Sequence, residues 1–450
     1  MENTRTLVKL LFLSFPIIFV LGCKTDGQLN GVAPEYCKDK QSSSPFAGGT
    51  GTLSNPFTIC TAAQFYNIGN DQTAWDKHFV QKADIDLSTI SSIKSIGFYN
   101  YNSGSPIDTP FTGSYNGSNY KLSNLAYPPL VGNQIQHGIF GNILGATVKN
   151  IKVINFTLNE PSQSNVGVLV SYMQSGTVSN VSTTGTINVD SYSGGVLSYI
   201  DSGLIEDVHS EVTITGNSRI GGIAGYLGVA RINKSSNKGN VTATNYVGGI
   251  AGSVGSGDIT QSFNKGNIEG EGFVGGLFGM AGGTPVPELK NCYSTGNISG
   301  VGSGLGAGSQ IGGIGGETGG ALDVYNVWSS GTITSVGSKV GGLSGQNGVY
   351  HNSFSIADVS GVSSVGGTTG NLQVALEATY YSYYSDDDTG GGSGFNFGTQ
   401  MIGDPTGVIS AALTATPSPA NDANFSTWDT TNIWDWSNTS LPPTLKWENQ

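Results

Sequence analysis

The sequence predicts an all-β fold, a parallel β-helix of about nine coils, and three observations carry that prediction. A Gly-Gly step with largely apolar flanks recurs every 27 residues, at Ser193-Gly194-Gly195-Val196, Ile220-Gly221-Gly222-Ile223, Val247-Gly248-Gly249-Ile250 and Val274-Gly275-Gly276-Leu277. Apolar columns keep the same period, one reading Val178, Ile205, Ile232, Ile259 and another Ile187, Ile214, Val241, Ile268. No proline stands between Pro161 and Pro285, as strands that donate hydrogen bonds on both sides require. A fixed period of this size marks a stacked repeat. The columns are β-branched and the segments between them are short and broken by glycine, so each repeat is a set of strands and not a helix pair. Right-handed crossovers between parallel strands are strongly favoured.

Polar positions follow the same register. Asn240, Asn267 and Asn297 align, each behind a glycine, and predict a ladder in which amides bond from coil to coil. Asp207 falls one coil below Lys234, and Glu211 one coil below Lys238. Such exposed pairs contribute only tenths of a kcal/mol, so they test the alignment more than they stabilise it.

Residues 1–22 read as an export signal. Arg5 and Lys9 precede an apolar run too short for an ordinary spanning helix, and the run ends in Val20-Leu21-Gly22-Cys23. That ending resembles the lipobox of bacterial lipoproteins, which implies cleavage before Cys23 and attachment of acyl chains there. Lys24, in place of an aspartate, implies outer-membrane sorting in a cell with two membranes. Several acyl chains, at about 0.8 kcal/mol per buried methylene, would make that anchorage effectively permanent. A polar stretch over 23–47 reads as a tether. Cys37 and Cys60 flank its end and are the disulfide candidates, whereas Cys292 lies in a strand where a small side chain packs.

Residues 48–135 read as an N-terminal cap with the first coils. Phe65 and Ile68 at helical spacing behind Thr61 predict one short helix there. Residues 136–379 hold the repeats. Two insertions stretch the coil that begins at Val274, after which the pattern resumes at Ile311-Gly312-Gly313-Ile314, Val340-Gly341-Gly342-Leu343 and Val365-Gly366-Gly367-Thr368. Residues 380–450 carry Trp428, Trp434, Trp436 and Trp447 and suit an aromatic C-terminal cap over the last open coil.

The steps Asp84-Ile85-Asp86-Leu87 and Phe111-Thr112-Gly113, with the repeated Val/Ile-Gly-Gly-Ile/Leu units, resemble the GLUG-repeat surface proteins of bacteria. Similar repeats occur in adhesins and in immunoglobulin-cleaving metalloproteases. The resemblance implies a secreted or surface-anchored β-helix and says little about activity. His78, His137, His209 and His351 are isolated, and no His-Glu-x-x-His exists to hold zinc as in the protease members.

Charge and composition narrow the function. Charged residues make up only 11 % of the chain, and the net charge of −12 repels nucleic acid. No column of carboxylates marks a glycan-cleaving face, so no catalytic set, cofactor or metal is expected. The Asp386-Asp387-Asp388 triplet reads as a solvated acidic loop, since it lacks the alternating spacing of calcium loops, with calcium ligation the alternative; Asp84 and Asp86 read as turn caps, with metal binding the lesser alternative. The residue before each Gly-Gly step gives Tyr192, Arg219, Tyr246, Phe273, a stripe that would either grip a glycan or protein ligand or simply cover the turn. The expectation is a lipid-anchored, non-catalytic surface protein, adhesin-like or structural. The alternative is a glycan-active β-helix enzyme with a loop site.

Overall fold

The computed structural model describes residues 34–41, 43–90, 93–100, 107–127, 137–302, 309–319, 322–371, 382–384, 428–437 and 442–449. It is a parallel β-solenoid. Coil joins coil through a 29-stranded sheet and a separate seven-stranded sheet at the Gly-Gly steps. The repeat period fixes the register: Val178 pairs with Ile205, Ile205 with Ile232 and Ile232 with Ile259. The column continues through Leu289, Val324 and Tyr350, and every member is buried. A second interior column runs Ile187, Ile214, Val241, Ile268, Ile298, Ile333, Val359. Each fully buried Ile or Val contributes roughly 1.5–3 kcal/mol, so like side chains stacked in buried columns hold the coils together. The stretched coil keeps its register, since Val274 pairs with Ile311 across the insertions.

The Gly-Gly steps are demanded by how closely coils approach. A Cβ on Gly222 would sit 2.2 Å from the Gly249 carbonyl oxygen and 2.3 Å from Cγ of Asn237. Asn237 belongs to a buried polar ladder beneath the turn, where its Nδ2 donates to Oδ1 of Asn264 at 2.8 Å. In other coils Thr183 donates to the Gly195 carbonyl at 2.9 Å and Ser329 to that of Gly342 at 2.5 Å. These partners satisfy polar groups that would otherwise be costly inside.

The exposed asparagines form their ladder with a difference. Oδ1 of Asn240 accepts the backbone N–H of Asn267, and Oδ1 of Asn267 that of Asn297, each at 3.1 Å, so the rungs are side chain to main chain. Of the two expected ion pairs, Lys238–Glu211 forms at 3.6 Å. Asp207 instead bonds His209 at 3.0 Å, because His209 is two residues along the same strand and needs no long side chain ordered. That bond, with a smaller contribution from Lys234, holds the Asp207 carboxyl below its usual range. Asp207 also shares a corner with Asn150, Asn180, Lys234 and Gln261, all at positive φ, which explains the asparagines there.

The N-terminal region, expected as a cap with the first coils, carries rungs of the stack. Phe57 pairs with Phe79, Phe79 with Tyr115 and Tyr115 with Val148, so these strands are already rungs of the column that continues at Val178. The short helix spans Ala62–Asn70, with Thr61 accepting the N–H of Gln64 and with Phe65 and Ile68 buried. The Cys37–Cys60 disulfide forms, with Cα atoms 5.6 Å apart. It corrects the tether boundary. Residues Glu35–Lys40 are a 3-10 helix carrying the buried Cys37, and Phe46 and Ala47 are buried, so the folded body includes chain expected to be tether.

The aromatic tail also takes a different seat. Phe263, Tyr293, Trp328 and Phe354 stack along one flank at centroid distances of 5.0, 4.7 and 6.0 Å. The tail lies on that ladder: Trp447 covers Phe263 at 5.3 Å, and Trp428 and Trp434 pack with Phe354 and Tyr293. The described tail residues therefore close a side of several coils, because the flank offers flat rings and backbone carbonyls for the indole N–H groups.

Candidate functional site

The residues before the Gly-Gly steps do stack. The Arg219 guanidinium carbon lies 4.8 Å from the Tyr192 ring centre and 4.7 Å from that of Tyr246. The Tyr246 and Phe273 rings are 4.7 Å apart and nearly parallel, at 4°. Tyr192, Arg219 and Tyr246 hold φ of 51°, 57° and 54°. The left-handed region costs roughly 1–2 kcal/mol for a residue with a side chain. The cost is borne because the chain turns a tight corner here: a Cβ on Gly252, in the next coil, would lie 2.4 Å from the Arg219 carbonyl carbon.

A second column joins the first around that corner, and sequence reasoning passed over it. Tyr172, Tyr199 and Tyr226 face one another in register, with ring centres 5.8 and 4.6 Å apart. Tyr99 extends the row at 4.8 Å from Tyr172, and Tyr199 bridges to Tyr192 at 5.9 Å. The signal was present, since these three tyrosines repeat at the same period as the glycines. The Tyr172 hydroxyl donates to Asp201. Partial burial, with Tyr226 and Asp201 nearby, holds the Tyr199 phenol above its ordinary range, while Arg219 opposes the shift.

Eight side chains thus form one half-buried patch, Tyr99, Tyr172, Tyr199, Tyr226, Tyr192, Arg219, Tyr246 and Phe273. Their faces are largely spent on one another. What the patch offers is ring edges, phenol hydroxyls and one guanidinium edge, in a row at the coil spacing of about 4.8 Å. Past Phe273 the patch turns polar, where Gln310 and Lys339 both donate to Oε1 of Gln346, at 3.0 and 2.7 Å.

Other candidate residues sit apart. Asp86 accepts the Ser88 N–H at 2.9 Å and so caps its turn, whereas Asp84, expected to do the same, accepts the N–H of Lys121 in the next coil at 2.9 Å and links two coils. Bonds first from Ser88 and then from Asn124 keep the Asp86 carboxyl low. His78 bonds Ser114 at 2.8 Å and His351 bonds Asp323 at 2.8 Å, whereas His137 is buried alone beside Tyr127. Among the described residues no three of His, Cys, Asp and Glu gather to hold a metal. Cys292 is buried, receives the Ser262 N–H at 3.4 Å, and has its thiol pushed up to about 12 by burial, which keeps it unreactive. Cys23 and Asp386, Asp387 and Asp388 lie outside the described residues.

No family model matches the chain. A segment covering 33 % of the chain is 33 % identical over 152 residues to halomucin of Haloquadratum walsbyi, and the match spans 2 % of halomucin's length. A solved structure from Bacteroides ovatus, described as a candidate immunoglobulin A1 protease, is similar at 20 % identity and a TM-score of 0.46, over 90 % of this chain and 96 % of that one.

Proposed function

We propose that this chain is a surface-displayed, lipid-anchored binding protein of the GLUG-repeat kind, adhesin-like and non-catalytic, whose tyrosine-rich corner is its contact surface. One observation carries the reading: two aromatic columns merge into a continuous half-buried patch over successive coils, at the cost of left-handed backbone beneath three of its members. Tyrosine and arginine are also the side chains that dominate recognition surfaces. The acidic groups support the non-catalytic half of the reading, since Asp258, Glu211 and Glu288 are paired to cations, Asp86 caps a turn and Asp84 links two coils.

The anchor belongs to the same proposal. Acylation at Cys23 would hold the solenoid at a bilayer, with the membrane as one partner and a glycan or protein on a cell surface as the other. Metabolic labelling with a palmitate analogue tests the anchor: label retained after Cys23→Ser removes it from the proposal. For the corner, the protein is screened on glycan and matrix-protein arrays while sugar release is assayed. Tyr199→Ala with Tyr246→Ala should abolish capture with most of the folded stability kept. Capture unchanged in that double variant, or sugar release by the intact protein, would overturn the reading.

A further inference from the structure

Resting on that reading, we propose that the corner takes an acidic carbohydrate, a chain with isolated carboxylates, and that Arg219 is the residue that receives the carboxylate. Arg219 is clamped between the Tyr192 and Tyr246 rings, which fixes its plane. Among the described residues no carboxylate lies within ion-pair distance of it. Lys234 and Lys339 likewise hold no acid, but the other arginine among the described residues does. Arg231 is paired with Asp258 at 3.0 Å, Lys238 with Glu211, Lys265 with Glu448 and Lys290 with Glu288. On a chain with net charge −12, a guanidinium stacked on both faces and bonded to no acid keeps its N–H fork for something else. That fork matches a carboxylate in a bidentate geometry, and the stacking rings supply the preorganisation that makes such a contact selective.

Three features narrow the anion to a sugar acid. The rings of Tyr192 and Tyr246 sandwich the guanidinium, and the hydroxyls of these and the adjoining tyrosines of the patch are suited to sugar hydroxyls. Asp201, bonded to Tyr172, sets a negative charge toward the N-terminal end of the patch, so the site accepts one carboxylate and repels a second close by. The overall negative charge likewise disfavours a densely sulfated chain or a nucleic acid, where attraction at one arginine is outweighed by repulsion over the whole surface. A polymer with one carboxylate per disaccharide meets all three conditions.

The test is titration calorimetry of the folded chain with a hexasaccharide bearing one uronic acid per disaccharide, against its carboxyl-reduced, neutral counterpart. The uronic form should bind about ten- to hundred-fold more tightly, the usual worth of hydrogen bonds to a charged group. Arg219→Gln should erase that preference. Arg219→Lys, which keeps the charge and loses the fork, should retain only a small part of it, with the melting temperature of each variant measured alongside. Equal binding of the two oligosaccharides, or an Arg219→Gln protein that stays folded and keeps the preference, overturns the inference and leaves the corner as a contact surface. If the intact protein captures only a protein on the arrays, and does so through the same tyrosines, the carbohydrate assignment falls and the broader reading stands. If Tyr199→Ala with Tyr246→Ala changes no capture at all, both fall.

Discussion

Glu448, at the end of the described tail, receives the hydroxyl of Tyr293 at 2.7 Å, and that bond ties the C-terminal segment to the middle of the solenoid. The same carboxylate accepts from Lys265 at 2.8 Å and from the Leu445 N–H at 2.8 Å. Burial first, and then the Glu448 carboxylate, raise the Tyr293 phenol well above its ordinary range, so it stays a donor. Trp447, next in the chain, covers Phe263 and His209 and donates its indole N–H to the Gln261 carbonyl at 2.9 Å. Glu448→Ala leaves the buried phenol without its acceptor, a loss of about 1–3 kcal/mol. Limited proteolysis should then release the C-terminal segment before the solenoid is cut. A tail as resistant as in the unmodified protein would show that the rings alone hold it.

His137 predicts a pH dependence. Both ring nitrogens are buried without a hydrogen-bond partner, and burial depresses its pKa to about 4. The unfolded chain, with a histidine near 6.5, therefore binds the proton more readily than the folded one. The neutral ring's contribution is fully present above pH 6.5 and is lost as the pH falls toward about 4, up to roughly 3 kcal/mol at 1.36 kcal/mol per pKa unit. His137→Leu removes the titrating group. Its melting temperature should fall less between pH 7 and pH 4.5 than that of the unmodified protein, and parallel pH profiles would refute the assignment.

The parts of this molecule that could be read from its sequence are those governed by one period. Ile205, Ile232 and Ile259 lie 27 residues apart because their coils carry no insertions, so the register shows in the letters. Phe57, Phe79 and Tyr115 are rungs of the same column, yet loops of unequal length separate them and no period survives. The aromatic flank is hidden for that reason too, since Phe263, Tyr293, Trp328 and Phe354 are unevenly spaced. The tail's seat needs a contact across much of the chain, which composition cannot encode. Half of the tyrosine corner was legible at the Gly-Gly steps. The other half, at Tyr172, Tyr199 and Tyr226, had the right period, but its stacking against the first column follows from how the corner folds.

Gly222 offers the sharpest test of coil packing. An added Cβ would meet the backbone oxygen of Gly249 at 2.2 Å, and that atom belongs to the next coil's own ladder and cannot rotate away. Gly222→Ala should therefore lower stability by about 3 kcal/mol, the upper part of the range for overpacking in a dense interior. Alanine at Gly145 would meet nothing within 4 Å, though φ there is +65°, so it registers backbone strain without the clash. Urea midpoints for the two variants separate these effects. A Gly222→Ala protein no less stable than Gly145→Ala would mean that the coils can spread.

The disulfide yields the last test. Cys37 and Cys60 close a loop with a sequence separation of 23, and both sulfurs are buried with Ala47 and Ala83 around them. Constraining a loop of that length in the unfolded chain is worth about 3 kcal/mol. The bond also pins the 3-10 helix Glu35–Lys40 against the first rungs, where Oε1 of Gln64 accepts the Cys60 N–H and its Nε2 donates to the carbonyls of Lys40 and Ser43. Replacing both cysteines by serine should destabilise the N-terminal end while the middle coils keep their protection. Hydrogen exchange can resolve the two, with faster exchange expected at Ile59 and Phe79 and unchanged exchange at Ile232. Uniform acceleration along the whole column would instead mean that the solenoid unfolds as a single unit from that end.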